Sequence, residues 1–172
     1  MTYLLIALVL AIILSPLLGM RSSPRQKLVA DLRRCAVSNG LQIKLSRLAG
    51  AREGEGRLDS VLYRLRWLKD TKPSTLRRGE EWLLIRGGHR GDAAPWGEWR
   101  WLSLPPALEL QAAIGVAVEA LTGDITGFEA SREGLAVYWR ERGESADVKQ
   151  LAEALKKLQK SIRPTTNLNL KQ

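Results

Sequence analysis

The longest hydrophobic pattern in this chain is an unbroken run from Thr2 to Met20, which contains eleven Leu, Ile or Val residues and no charged residue. In a helix, its nineteen residues would extend about 28 Å at about 1.5 Å each. This length matches a bilayer hydrocarbon core about 30 Å thick. The run therefore predicts a single transmembrane helix, with residues 1–20 as a membrane anchor.

The charges beside this run bear on the choice between an anchor and a cleaved signal peptide. A signal peptide carries positive charge before its apolar run, whereas here Arg21, Arg25 and Lys27 follow it. Under the positive-inside rule, this asymmetry places the N-terminus outside and the rest of the chain in the cytoplasm. We therefore expect a single-pass protein of the bacterial inner membrane, with the lipid bilayer as its first partner.

Three later segments repeat their apolar residues at the helical period. The first, residues 24–38, is amphipathic and basic, and it could lie on the membrane surface or pack on its own domain. The second, residues 107–121, is apolar nearly all round and predicts a central core helix, and the third spans residues 147–162. The basic residues expected at a membrane surface are Arg21, Arg25, Lys27, Arg33 and Arg34.

Between these helices, apolar and polar residues alternate as they do in half-buried strands. Three or four such segments precede the second helix, and two precede the third. The segments are 41–45, 58–68, 81–86, 98–104, 125–130 and 135–140. Because short turns join them, they predict an antiparallel sheet of five or six strands with helices on one face.

Together these elements predict an α+β fold, with one transmembrane helix followed by a two-layer domain. The domain would occupy residues 21–162 in the order helix, three or four strands, helix, two strands, helix, and residues 163–172 would form a flexible tail. This element order resembles that of the small chaperones of bacterial type III secretion. The resemblance implies that the sheet can serve as a platform for peptide binding.

A glycine-rich segment, Gly87-Gly88-His89-Arg90-Gly91, separates two of the predicted strands. It lacks the Gly-Lys-Ser/Thr ending of a P-loop, so a hairpin turn is the better interpretation. It resembles a Gly-Gly-x-x-Gly turn in the YajC subunit of the bacterial preprotein translocase, which also has one N-terminal span and a small cytoplasmic domain. The layout is similar to that of uncharacterised bacterial single-span inner-membrane proteins, and it implies an accessory subunit.

The net charge of +9 lies entirely in the half of the chain that follows the apolar run. Residues 21–100 contain 18 Lys and Arg against 9 Asp and Glu, whereas residues 101–172 contain 9 of each. Such an excess attracts anionic lipid, acidic proteins or nucleic acid. Charge alone does not distinguish these three classes of partner.

Four of the six tryptophans lie between Trp82 and Trp101, where arginines are interleaved with them. Aromatic faces beside guanidinium groups can stack nucleic-acid bases or form hot spots of protein binding. The alternative is that most of them are core residues of strands. The residues expected to contact a partner are Trp96, Trp99, Trp101, Arg86, Arg90 and Arg100.

Residues able to support catalysis are sparse. One histidine, His89, and one cysteine, Cys35, make a multi-histidine metal site and an internal disulfide unattainable. The glutamates, including Glu109 and Glu119, have no partner pattern for acid–base or metal chemistry. We therefore expect neither enzyme activity, nor a metal, nor a cofactor.

These observations predict a membrane-tethered binding or adaptor domain that contacts another protein at the inner membrane. The alternative is a basic domain that binds anionic lipid or nucleic acid near the membrane. Salt would discriminate the two, because binding to phosphates weakens steeply as the salt concentration rises.

Overall fold

The computed structural model describes residues 3, 23–47, 49, 51, 60–67, 81–121 and 124–162. By its internal contacts the chain divides into two compact units, Met1–Ala30 and Asp31–Gln172. The second unit contains all of the described strands.

The described residues form three helices, which are α1 (Pro24–Ser38), α2 (Leu108–Glu119) and α3 (Ser145–Ile162). A capping box starts α1. The amide of Ser23 donates to Oε1 of Gln26 at 2.9 Å, and the amide of Gln26 donates to Oγ of Ser23 at 3.2 Å. The turn after α1 uses Gly40, whose φ of 84° lies in the left-handed region that favours glycine.

The strands of the described residues form one antiparallel sheet in the order β1-β2-β7-β6-β3-β5-β4. The hairpin of β6 and β7 therefore lies between β2 and β3, while β1 and β4 form the two edges. The strands are β1 (Leu41–Ser46), β2 (Ser60–Arg66), β3 (Trp82–Arg86), β4 (Asp92–Ala93), β5 (Trp99–Trp101), β6 (Ile125–Ser131) and β7 (Gly134–Trp139).

One face of this sheet carries the hydrophobic core. Cross-strand pairing places Tyr63, Val137, Phe128, Leu84 and Trp101 in one row, and none of these residues is more than 3% exposed. The helices add buried residues to the same core, namely Leu32, Ala36, Ile114, Val118, Val148, Leu151, Leu155 and Leu158. The described domain therefore has two layers, a sheet and its covering helices.

The described sheet has seven strands, so the prediction of five or six strands is wrong. The additional strand is β4, which directly follows the glycine-rich turn 87–91 and lies between the predicted strands 81–86 and 98–104. Two residues are too few to show alternation. This strand exists because it pairs with β5, with Asp92 opposite Trp101 and Ala93 opposite Arg100.

The expected fold of a transmembrane helix plus this domain is also wrong, and so is the single-pass inner-membrane location. In the part of the chain that the structure describes, no helix is both long enough and apolar enough to cross a membrane. The apolar helix α2 has only 12 residues, and α3 has 18 residues but carries six charged side chains. The segment from Thr2 to Met20, except Tyr3, and residues 163–172 lie outside the described residues.

Candidate functional site

The strand tryptophans expected at a partner surface lie in the core. Trp99 and Trp101 are 6% and 3% exposed. Edge-to-face contacts join Trp101 to Trp82, with ring centroids 6.0 Å apart, and Trp82 to Phe128, with ring centroids 4.9 Å apart. Such contacts add to the stability of a core. A buried indole cannot present its face to a base or to a partner side chain.

The loop tryptophan, Trp96, extends this aromatic cluster towards α2. Its ring lies 5.8 Å from that of Trp101 and is half-buried. It also lies against Gly115 of α2, where an added Cβ would be only 2.5 Å from the indole Nε1. Trp96 therefore occupies space that a larger residue at position 115 would take.

Two of the three arginines expected at a partner surface contact groups of the β3–β5 segment in which they lie. Nε of Arg86 lies 3.5 Å from a carboxylate oxygen of Glu98, and Arg100 donates two hydrogen bonds to the carbonyl of Gly91. Arg90 is exposed in the connecting turn. Because Arg100 lies between Trp99 and Trp101 on β5, its side chain leaves the opposite face of the sheet. The structure does not bring these arginines and tryptophans together on one open surface.

The basic residues of α1 have different surroundings. Arg25 and Lys27 are exposed, and Arg34 pairs with Asp31 on the same helix at 2.9 Å. Arg33 instead pairs with Glu141, as described next. Arg21 lies outside the described residues.

A buried carboxylate, Glu141, joins α1 to the sheet. Arg33 donates two hydrogen bonds of 2.8 Å to its two oxygens, and the Tyr63 hydroxyl donates a third at 2.7 Å. Glu141 is 5% exposed and has a φ of 54°, which is unusual for a residue with a side chain. The hydrogen bond to Glu141 raises the pKa of Arg33, and burial followed by the Glu141 contact raises the pKa of Tyr63. Arg33 and Tyr63 therefore both keep their protons at neutral pH.

A second polar network lies on the opposite face of the sheet. The Tyr138 hydroxyl donates to Glu129 at 2.7 Å, Arg64 donates to the other oxygen of Glu129 at 3.2 Å, and Arg64 also pairs with Glu133. Burial, and then the negative charge of Glu129, raise the pKa of Tyr138. Each charge in the network has a partner of opposite sign, so the network is suited to joining neighbouring strands.

The described residues offer little for catalysis or metal binding. They contain no group of three or more His, Cys, Asp or Glu side chains that could hold a metal ion. His89 is exposed in the turn, and the half-buried Cys35 donates from its thiol to the carbonyl of Ser145 at 3.6 Å. These residues are not close to one another in any arrangement that forms a nucleophile and base pair.

An accessible, mainly apolar groove lies between α2 and α3, and we call it the α2–α3 groove. Its volume is about 360 Å³. Small or apolar residues supply most of its floor, and polar residues of α3 form one rim. The lining residues are Ala113, Val116, Ala117, Ala120, Gln150, Glu153, Ala154, Lys157, Leu158 and Ser161.

An apolar stripe on α2 borders this groove. Leu108, Ala112 and Val116 recur every four residues and are all exposed, Leu108 by 82% and Val116 by 70%. Residues spaced by four lie on one face of a helix. We call these three residues the α2 stripe. In the described domain the stripe and the α2–α3 groove form one continuous apolar surface, because Val116 belongs to both.

The charges around the groove are divided between its two helices. All charged residues of α2 are acidic, Glu109 and Glu119, whereas α3 has a net positive charge, with four lysines against Asp147 and Glu153. Lys156 pairs with Glu153 at 3.3 Å. Among the described residues, Glu119 and Lys157 form no ion pair. The surface therefore has an acidic wall on α2 and a wall of net positive charge on α3, on either side of an apolar centre.

The sequence interpretation missed this surface because it assigned residues 107–121 to a central core helix. The apolar residues are on every side of that helix, so periodicity does not indicate which side is covered. A usable signal was nevertheless present. Ala113, Ala117 and Ala120 are too small to fill a core alone, and they line the groove beside Val116.

Comparison of this chain with known protein families, with characterised proteins and with solved structures finds no match. The resemblances to YajC and to secretion chaperones therefore stay predictions.

Proposed function

We propose that this chain is a protein-binding adaptor domain, and that it docks its partner on the α2 stripe and the α2–α3 groove. The single observation that carries the proposal is the exposure of Leu108 and Val116 beside a concavity of about 360 Å³. Burying one such side chain favours association by about 1.5–3 kcal/mol. Large apolar side chains grouped at a groove are typical of binding surfaces.

Several cations that would serve the alternative, nucleic acid or anionic lipid, are engaged within the domain. Arg33, Arg64 and Arg86 lie beside carboxylates. A cation that is already paired contributes little to counterion release from a phosphate backbone. This distribution favours a protein partner that recognises an apolar surface.

Photocrosslinking in cells tests the proposal. A photoreactive amino acid replaces Val116 in the full chain, and irradiation is followed by gel mobility of the tagged chain. Val37 is the matched control, because it is also a valine on a helix and is 63% exposed. We expect a discrete crosslinked species from position 116 and none from position 37.

The absence of any species specific to position 116 would contradict the proposal. Equal yields from both positions would also contradict it, because they would indicate random collisions. A salt series in a lysate of the same cells adds a second criterion: an apolar contact should persist at high salt, whereas phosphate-driven binding should be lost. Circular dichroism verifies that both crosslinker variants are folded.

A further inference from the structure

The α2–α3 surface has features that fit one specific occupant, a second copy of the same surface. We propose that two copies of this chain associate about a two-fold axis close to Val116, with the α2 stripe of each copy in the α2–α3 groove of the other. This inference rests on the proposed function, because it identifies the partner class for the same surface.

The first reason is the division of charge between the two walls. Glu109 and Glu119 are the only charged residues of α2, whereas α3 has four lysines against Asp147 and Glu153, and its Lys157 lines the groove. If α2 of one copy enters the groove of another, its glutamates approach the partner's lysines. The surface is therefore complementary to itself in charge, as a two-fold interface requires.

The second reason is that α2 and α3 run antiparallel, as the residues lining two spaces between them indicate. Ala120 and Leu121 line a small space together with Asp147 and Leu151, so the end of α2 lies beside the start of α3. Ala113, nearer the start of α2, shares the groove with Lys157, which is nearer the end of α3.

A two-fold axis near Val116 and perpendicular to α2 makes the two copies of α2 antiparallel, and this places position 119 of one copy opposite position 113 of the other. Since Ala113 shares the groove with Lys157, Glu119 of each copy would approach Lys157 of the partner. The two copies would then make the same ion pair twice, once on each side of the axis.

The third reason is side-chain size. Ala112, Ala113 and Ala117, the residues beside Val116 along α2, are all small, and Ala112 is exposed. Small residues at a contact allow helix axes to approach to the shorter end of the usual 8–10 Å range. Four helices, α2 and α3 from each copy, would then bury the stripe and fill the groove as a four-helix bundle does.

Charge reversal in the full chain tests the dimer. Glu119→Lys places a lysine opposite Lys157 of the other copy, and Lys157→Glu places a glutamate opposite Glu119 of the other copy, so each variant should repel itself at both of these contacts. We expect sedimentation velocity to show a dimer for the native chain and a dimer Kd raised at least about tenfold for each variant.

Mixing the two variants should restore association, because each of the two contacts in a mixed dimer then joins a lysine of one variant to a glutamate of the other. The double variant Glu119→Lys/Lys157→Glu should also recover a dimer Kd close to the native one. Neither substitution alters a buried residue, and circular dichroism verifies that each variant is folded.

Three results would overturn the inference: a monomeric native chain, variants that dimerise as well as the native chain, or a mixture that fails to associate. The crosslink at position 116 distinguishes failure of the dimer inference from failure of the proposed function. A product of twice the chain mass supports the dimer. A product that contains a different protein, such as an acidic amphipathic helix of a partner, refutes the dimer and leaves the docking surface standing.

Discussion

The guanidinium of Arg33 donates two hydrogen bonds of 2.8 Å to the carboxylate of Glu141, across a separation of 108 residues in the chain. The carboxylate is almost fully buried, whereas the arginine side chain is 39% exposed. The pair therefore ties the second half of α1 to the segment between β7 and α3, where the Tyr63 hydroxyl reaches the same carboxylate.

We expect Arg33→Ala to lower the free energy of unfolding by about 1–3 kcal/mol, because it removes the main cation from a buried carboxylate. Partial exposure of the arginine keeps the effect below that of a fully buried pair. Arg34→Ala is the matched control, since its pair with Asp31 is exposed and should change stability by about 0.5 kcal/mol or less. Urea denaturation measures both, and equal losses would contradict the structural role given to Arg33.

The backbone of Glu141 makes a separate prediction. Its φ of 54° lies in the left-handed region, which glycine adopts without steric cost and alanine adopts only with strain. Glu141→Ala and Glu141→Gly both remove the carboxylate, but we expect the glycine variant to be more stable by about 1 kcal/mol. Thermal and urea unfolding of the two variants compare them directly. An alanine variant that is as stable as the glycine variant would show that this position carries no backbone strain.

Tyr63 should make the fold sensitive to alkaline pH. Its pKa is raised in the folded state, so the stability that its protonated form contributes is fully present below its unfolded pKa of about 10. Above that pH the unfolded chain releases the proton while the folded chain retains it, and stability falls as pH rises.

We therefore expect the free energy of unfolding to decline less steeply above about pH 10 in Tyr63→Phe than in the native chain. At neutral pH the variant should be less stable by about 1 kcal/mol, because the hydrogen bond to Glu141 is lost. Urea titrations at a series of pH values measure both effects. Parallel pH profiles for the two proteins would refute the role assigned to the Tyr63 hydroxyl.

The effect of Gly115→Ala on stability should change sign when the Trp96 ring is removed. Alanine normally stabilises a helix interior relative to glycine by about 1 kcal/mol. Here a Cβ would lie 2.5 Å from the Trp96 indole, so we expect Gly115→Ala to destabilise the native chain by about 1–2 kcal/mol. In a Trp96→Ala background the same substitution should stabilise, since the obstructing ring is gone. A double-mutant cycle measures the difference, and additive effects would show that the two residues do not compete for space.

Local patterns predict many of the observed elements, because backbone geometry depends mainly on neighbours in the chain. The alternation of Leu41, Ile43 and Leu45 lies in β1, and the helical stripe of residues 147–162 lies in α3, which begins two residues earlier. The predicted segments 125–130 and 135–140 lie within or beside β6 and β7. In each case the segment is long enough for the spacing of its apolar residues to distinguish a helix from a strand.

Features made by contact between distant segments could not be predicted in this way. The strand β4 has only two residues and depends on its pairing with β5, so no period announces it. Trp96 lies in a loop, and its half-burial depends on a glycine of α2. The order of strands, with the β6–β7 hairpin between β2 and β3, likewise depends on pairings that no local pattern encodes.

The sequence by itself determined which residues are apolar, which residues of β1 and α3 share an apolar face, and where the positive charge is concentrated. Only the tertiary structure decided that Trp99 and Trp101 are buried while Val116 is exposed. The physical reason is that burial depends on what covers a side chain. The sheet and helices cover the strand tryptophans of β5, and no described residue covers the α2 stripe.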